Sequence, residues 1–384
     1  MNQVTAILIG AGARGQIYAR YAQEHPEELR IIAVAEPKAD RRALMCRAYG
    51  IPADRAFSNW EDLLARPQMA DAALICTLDD MHTEPTLAAL KQGYHVLLEK
   101  PMSNSETECR AIAAAAEEAQ RVLSVCHVLR YTPFYRTIKQ LIDDGQVGEV
   151  ASLSQVENVG YWHHAHSFVR GNWRCSEQTS PMILQKSCHD MDILLWLSGQ
   201  RCTRVSSFGS LHHFDAAHAP QDAPLRCTDG CPHSVVCPYD AGKIYLTDNV
   251  GWPTDMLTTD LSREGRLKAL REGPYGRCVY HCDNDVVDRQ VVNLEFDNGA
   301  VAGFTMTAFT TDMARQLKVC GTKGQITADM NTAANQQLWT WWRGLLSDAR
   351  LCTCRTKRRR WKPLICQSFS AKSSDLFCRR TLPR

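Results

Sequence analysis

The rhythm of hydrophobic and polar positions changes about one third of the way along the chain. Residues 4–9 (VTAILI), 29–35, 72–77, 95–98 and 122–128 are short apolar runs with little alternation. Between them, residues 39–49, 86–92 and 106–119 have helical composition. A strand needs a continuous apolar run when both of its faces are covered. Helices of this length between such strands are the crossovers of a parallel sheet. After residue 130 the pattern differs. Residues 134–143 and 187–197 read as helices, the second stopped by Gly199. Residues 151–159, 205–209, 286–296, 301–309 and 316–320 read as strands that mix polar with apolar positions, and Asp297-Asn298-Gly299 is a hairpin turn between two of them. The pattern predicts an α/β domain over residues 1–129. An α+β domain with an open, largely antiparallel sheet follows over residues 130–338. Residues 212–275 have weak periodicity and many Pro, Gly and Asp, and read as a loop-like insertion.

Composition adds a break near the C-terminus. Residues 339–384 carry 12 Lys+Arg against 2 Asp+Glu, whereas the preceding residues carry 32 against 40. This basic tail, with Cys352, Cys354, Cys366 and Cys378, reads as an altered C-terminus, because nothing in the body supports a nucleic-acid partner. No apolar run reaches the eighteen or so residues of a membrane span, and the N-terminus opens directly on a strand. The expectation is a cytoplasmic protein without a membrane partner. Its 17 cysteines are then mostly thiols.

Gly10-x-Gly12-x-x-Gly15 follows the first strand and opens a helix. Such glycines allow a tight turn, close approach of a pyrophosphate and close helix–sheet packing, and the helix amides face the phosphate charge. Glu36 ends the second strand 21 residues beyond Gly15, where a carboxylate can hold a ribose diol and repel a 2′-phosphate. NAD is favoured. Lys38, Arg41 and Arg42 keep NADP open as an alternative. Glu99-Lys100-Pro101 leaves another predicted strand at the end where ligands sit in such sheets.

The ordered set of Gly10-x-Gly12-x-x-Gly15, Asp79-x-x-His82, Glu99-Lys100-Pro101 and Cys188-His189-Asp190-Met191-Asp192 resembles the glucose-fructose oxidoreductase, inositol dehydrogenase and rhizopine-catabolism family. The segment 127–150 is similar to that family's interdomain junction. The resemblance implies a Rossmann domain, a nicotinamide cofactor, a sugar, cyclitol or other polyol substrate, and subunit contacts through the second domain's sheet in a homo-oligomer. It places the common lysine on Lys100 and the common histidine on His189, with Thr77, His82, Glu99 and Lys100 joining the glycines and Glu36 around the cofactor. The family's usual aspartate four residues before the histidine is Gln185 here, followed by Lys186. Lys186 is therefore a third catalytic candidate. Gln185 and Asp192 are candidate substrate contacts. A carbinol losing hydride must also lose its hydroxyl proton, and histidine can accept it near neutral pH. The expected reaction is hydride transfer at a secondary alcohol or ketone. The alternatives are a glycosidase or lyase with an internal redox cycle, and a noncatalytic nucleotide-binding member.

Two further clusters stand out. Tyr161, His164, Arg170 and Trp173 belong to a polar-aromatic stretch suited to a polyhydroxylated ligand. Cys227-x-x-x-Cys231-x-x-x-x-x-Cys237 in the insertion is a candidate structural zinc site, with His233, His212, His213 or Cys282 as the fourth ligand, against free thiols or a disulfide. An iron–sulfur cluster is the lesser metal reading.

Overall fold

The computed structural model describes residues 3–331 and 336–342. The chain divides into two compact units after Tyr131. In the first, six strands pair in parallel: β1 (Val4–Ile9), β2 (Leu29–Ala35), β3 (Ala56–Phe57), β4 (Ala72–Ile75), β5 (His95–Leu98) and β6 (Leu123–Val125). Their order is β3-β2-β1-β4-β5-β6, the doubly wound order whose switch point lies between β1 and β4. Alternate residues enter two cores. Leu8, Val34 and Leu74 pack with Tyr18 and Met45, while Ile7, Ala33 and Ile75 pack with Leu90 and Ile112. Helices thus cover both faces, which is why these strands are apolar throughout.

The second unit is an α+β fold with a seven-stranded mixed sheet. Its strands are β7 (Val150–Asn158), β8 (Cys202–Ser210), β9 (Arg289–Phe296), β10 (Val301–Thr307), β11 (Ala314–Gly321), β12 (Gly324–Asn331) and β13 (Gln336–Trp342). The order is β13-β12-β11-β7-β10-β9-β8, and only the β7–β10 pair is parallel. Helix Cys188–Ser198 packs on β7 and on helix Pro133–Asp143. Strand β9 alternates cleanly, with Val292, Leu294 and Phe296 buried and Val291 facing solvent.

Several elements depart from the sequence pattern. The two-residue β3, helix Trp60–Leu64 and strands β12 and β13 carry too little apolar periodicity to be foreseen. Strand β6 is three residues long rather than seven, because Val128–Tyr131 turns into a 3-10 helix. The insertion is not a bare loop. It contains helices Ala241–Tyr245 and Arg263–Glu272, the latter capped by Ser262, whose hydroxyl accepts from the Gly265 amide at 3.0 Å. Its Tyr245 and Leu270 form a small core with Ala241, while its Phe214 and Tyr239 pack with Ala165, Val169 and Tyr280 of the surrounding unit. Of the basic tail, residues 343–384 lie outside the described residues; its first four belong to β13.

Candidate active site

The glycine loop sits at the C-terminal end of β1. Gly10 has φ +89°, and a Cβ there would lie 2.5 Å from the Cys76 carbonyl oxygen. A Cβ on Gly15 would lie 2.1 Å from the Gly10 carbonyl oxygen. These two glycines are therefore fixed by backbone contact. Gly12 differs: a Cβ there would meet nothing within 4 Å. It caps helix Ala13–Ala19 and faces open space, as a residue does where a ligand must approach the backbone. Glu36, 5% exposed, reaches this loop from the end of β2. Its Oε2 accepts from the Ala11 amide at 2.8 Å and its Oε1 from the Lys38 amide at 3.0 Å. A carboxylate has about four acceptor positions, so two remain. Arg42 donates to the Glu36 carbonyl at 2.6 Å. The loop and Glu36 together fit a dinucleotide: open backbone for the phosphates and a carboxylate beside it for a diol.

A second group gathers at the ends of β4 and β5. His82, 1% exposed, sets Nδ1 2.7 Å from the Pro101 carbonyl and Nε2 3.3 Å from the Thr77 carbonyl. It ties the Thr77 loop to the cis Lys100–Pro101 bond, and Asp79 is buried beside it in sequence. The Thr77 hydroxyl donates to the Met81 carbonyl. Glu99 is buried and accepts from Arg14 Nε at 2.7 Å, from the Tyr18 hydroxyl, and from the Lys100 amide at 2.7 Å. Burial pushes the Glu99 carboxyl up, but Arg14, Lys100 and the Tyr18 hydrogen bond outweigh it and hold the group below the ordinary carboxylate range. Burial and the nearby Glu99 charge push the Tyr18 phenol up. Sequence reasoning missed Arg14 and Tyr18. Their only signal is position, since both belong to the helix that the glycine motif opens.

In the second unit, Gln185, Lys186, His189 and Asp192 lie on helices Met182–Gln185 and Cys188–Ser198 and their junction. The structure joins Lys186 to a buried cluster that sequence reasoning did not foresee. Lys186 Nζ is 3.1 Å from Glu157 Oε1, and Arg315 Nε is 2.7 Å from Glu157 Oε2. Arg315 also grips Asp190, through Nε at 2.8 Å and Nη2 at 3.2 Å, and Gln155 donates to the same carboxylate. Register explains the cluster. Arg315 on β11 pairs with Glu157 on β7, and Gln155 and Glu157 share the inward face with Leu153. Two cations and two anions balance. Burial pushes the Glu157 carboxyl up against the pull of Arg315 and Lys186, and burial pushes the Lys186 ammonium down against the pull of Glu157. Lys186 also opposes the charging of His163, after burial itself. The legible signal was a glutamate at an inward strand position, which an alternating pattern should not contain without a partner.

The polar-aromatic stretch folds as helix Tyr161–His164 running into a π-helix, Ala165–Arg170. His164 is fully buried, stacked 5.5 Å from Phe168 and 5.2 Å from Phe214, and burial pushes it down to about 3. Arg170 is fully buried and donates to the carbonyls of Arg277 and Tyr239, both at 2.7 Å. These two side chains are inside the unit's core, whereas Tyr161 and Trp173 are half-buried. Cys227, Cys231 and Cys237 do not converge on one point. Among the described residues, the one group of three His, Cys, Asp or Glu ligand atoms lying mutually within 4.8 Å is His25, Glu27 and Glu28, on the surface. No helix among the described residues is long and apolar enough to cross a membrane.

A glycine loop with an acidic strand end, at the switch point of a doubly wound sheet, defines a dinucleotide-binding unit, here followed by an α+β unit. The chain belongs to the GFO/IDH/MocA oxidoreductases: residues 4–127 match the oxidoreductase family with NAD-binding Rossmann fold, and residues 135–327 match the GFO/IDH/MocA C-terminal domain. It is 30% identical over 193 residues to an inositol 2-dehydrogenase of Pseudomonas savastanoi pv. phaseolicola, covering 50% of this chain and 53% of that protein. It is 25% identical over 272 residues to YteT of Bacillus subtilis (strain 168), covering 69% and 61%. The chain thus spans less than two thirds of the length of these curated relatives. Among solved structures, aldose-aldose oxidoreductase from Caulobacter crescentus complexed with glycerol aligns with a TM-score of 0.63 at 15% identity, covering 95% of this chain and 87% of that one. The WlbA dehydrogenase from Bordetella pertussis in complex with NADH and UDP-GlcNAcA aligns at 0.62 and 17%, covering 88% and 83%. At these identities the likeness shows the fold alone.

Proposed function

We propose that the chain binds NAD, in preference to NADP, and transfers hydride between the nicotinamide and a secondary alcohol or ketone of a sugar, cyclitol or related polyol. The observation that carries the reading is the meeting of Glu36 with the open glycine loop at Ala11. A relative named inositol 2-dehydrogenase supports the substrate class. The nicotinamide, when bound, supplies the hydride acceptor or donor. Gly10 and Gly15 hold the turn, Gly12 leaves the backbone open to the pyrophosphate, and Glu36 would hold the ribose hydroxyls with its remaining lone pairs. Lys100 polarises the reacting oxygen. His189 takes the hydroxyl proton, and Lys186 exchanges it with Glu157. That pair suits the task because burial drives both members toward their neutral forms. Tyr161, Trp173, Gln185 and Asp192 contact substrate hydroxyls in this reading. His164 and Arg170 instead support the segment that carries Tyr161 and Trp173.

The test is single-turnover hydride transfer, with NAD affinity measured separately. His189→Asn, Lys100→Met and Lys186→Met should each keep NAD affinity and slow transfer by roughly a hundredfold or more. Wild-type transfer rates in both the His189 and Lys100 variants would refute the assignment.

A further inference from the structure

Residues 249–254 turn the insertion back on itself and hold an indole at the surface. Asn249 Oδ1 accepts from the Gly251 amide at 3.0 Å, and Asn249 Nδ2 donates to the Trp252 carbonyl at 3.2 Å. The Thr254 amide closes the turn on the Gly251 carbonyl at 2.8 Å. Pro253 and Thr254 are buried, whereas Trp252 is 39% exposed. A single exposed apolar side chain is ordinary, but this one has a second indole beside it.

Trp162, half-buried on helix Tyr161–His164, sets its ring 5.2 Å from that of Trp252 at 58°, so the two indoles meet at an angle. His163 and His166 stand nearly perpendicular to Trp252, at 4.9 and 5.7 Å. His166 is in turn stacked on Tyr275 at 4.8 Å and sets Nδ1 2.8 Å from the Tyr245 hydroxyl. The rings that fix Trp252 are thus held themselves. Burial pushes both imidazoles down, His166 to about 3, so this support is uncharged at neutral pH.

Two further observations point to a ligand. His163 Nδ1 is buried and has no hydrogen-bond partner, although its ring packs on Trp252. Lys186 is near enough to His163 to oppose its charging. The indole pair therefore adjoins, within one unit, a residue assigned above to proton exchange.

A six-membered ring carrying hydroxyls suits this place. Its rim is polar, but its faces are C–H groups with a small positive charge, and the face of an indole is negative. An open-chain polyol has hydroxyls on every side and no flat face. A nucleobase is flat too, but it brings phosphates, and neither the indoles nor their neutral imidazole support offers a charge to hold them. A protein partner needs about 800 Å² on each side, far more than two partly exposed indoles supply.

We propose that Trp162 and Trp252 form a platform for a ring-closed sugar or cyclitol, through which the insertion selects cyclic over open-chain polyols. This rests on the polyol reading given above. Saturation-transfer NMR of the full chain with NADH, which cannot accept hydride from an alcohol, measures binding without turnover. The probes are methyl β-D-glucopyranoside, myo-inositol, sorbitol and uridine, the first two separating a sugar from a cyclitol. The C–H protons of at least one of those two rings should be saturated, and those of sorbitol should not. Trp252→Ala and Trp162→Ala should each weaken that ring roughly tenfold. Trp252→Phe, which keeps an aromatic face should the alanine variant fail to fold, should lose less. Saturation of neither ring, equal saturation of sorbitol, stronger saturation of uridine, or unchanged affinity in both alanine variants overturns the proposal. Ring binding that depends on Trp252 in a chain that transfers no hydride supports the platform and fails only the hydride assignment.

Discussion

Arg315→Met removes the one cation shared by two buried carboxylates. In the native unit, Lys186 and Arg315 balance Glu157 and Asp190. Without Arg315 the cluster carries one net negative charge. Both carboxylates lose a partner, but Glu157 keeps Lys186 at 3.1 Å whereas Asp190 is left with the neutral Gln155 amide, so the larger loss falls on Asp190. Asp190 is 0% exposed and the Arg315 side chain only 14%, so solvent cannot replace the lost partner. Breaking such a buried pair from one side costs about 3–5 kcal/mol. Adding Asp190→Asn restores neutrality and should recover about 2 kcal/mol of that, a coupling within the range measured for contacting residues. Urea unfolding, read locally by hydrogen exchange of the β7 and β11 amides, measures both numbers. A cost below about 1 kcal/mol at neutral pH, or no recovery from Asp190→Asn, would refute the neutral-cluster reasoning.

Glu36→Ala should weaken NAD by roughly tenfold, and NADP less, in parallel calorimetric titrations; equal weakening would remove Glu36 from cofactor selection. Glu99 is held below the ordinary carboxylate range, so its contribution to the first unit is present above about pH 4.5 and is lost as pH falls through the folded value. Glu99→Gln should flatten that acid-side loss in urea midpoints taken across acidic pH. Phe208, 72% exposed on β8, stands in one row with Val291 and Thr305 on the solvent face of the second sheet. If that face joins two copies of the chain, Phe208→Asp should lower the mass measured by light scattering.

The first unit was the legible one, for a physical reason. A parallel sheet covered on both faces demands apolar runs at β1, β2, β4 and β5, and the glycine loop demands small residues where backbone meets backbone at Gly10 and Gly15. Both demands are local and leave marks in sequence. The second unit's cluster is not local. Glu157, Lys186, Asp190 and Arg315 meet because β11 pairs with β7 in one register and a helix lies over that pair. Nothing at Arg315 announces this. In the histidine-rich stretch, residue types alone do not separate a sugar contact from a core position, and His164 and Arg170 are buried while Tyr161 and Trp173 are half-buried. His164 between Phe168 and Phe214 shows how an imidazole serves as an aromatic plate once burial has removed its charge. The cysteine spacing marked Cys227, Cys231 and Cys237 but not Cys278, which lines the same cavity. Cys278 reaches the cavity only through the bridge between Arg226 and Arg277.

The absent aspartate at Gln185 poses the sharper question of where the acid has gone. In the mechanism proposed above, Glu157, which reaches Lys186 from β7 at 3.1 Å, would take that place. If Lys186 carries the exchanged proton, Glu157 sets how readily it does so, because the carboxylate raises the lysine's proton affinity against the effect of burial. Glu157→Gln removes that pull and keeps the shape. The limb of the hydride-transfer pH profile that belongs to Lys186 should then move to lower pH, while NAD affinity stays unchanged. Adding Lys186→Met should abolish the limb altogether, so that Glu157→Gln no longer shifts anything in that background. A purely structural Glu157 would lower stability and leave the profile in place. An unmoved limb in a folded Glu157→Gln enzyme, or one displaced to higher pH, would therefore separate the buried cluster from the chemistry and return the proton to His189 alone.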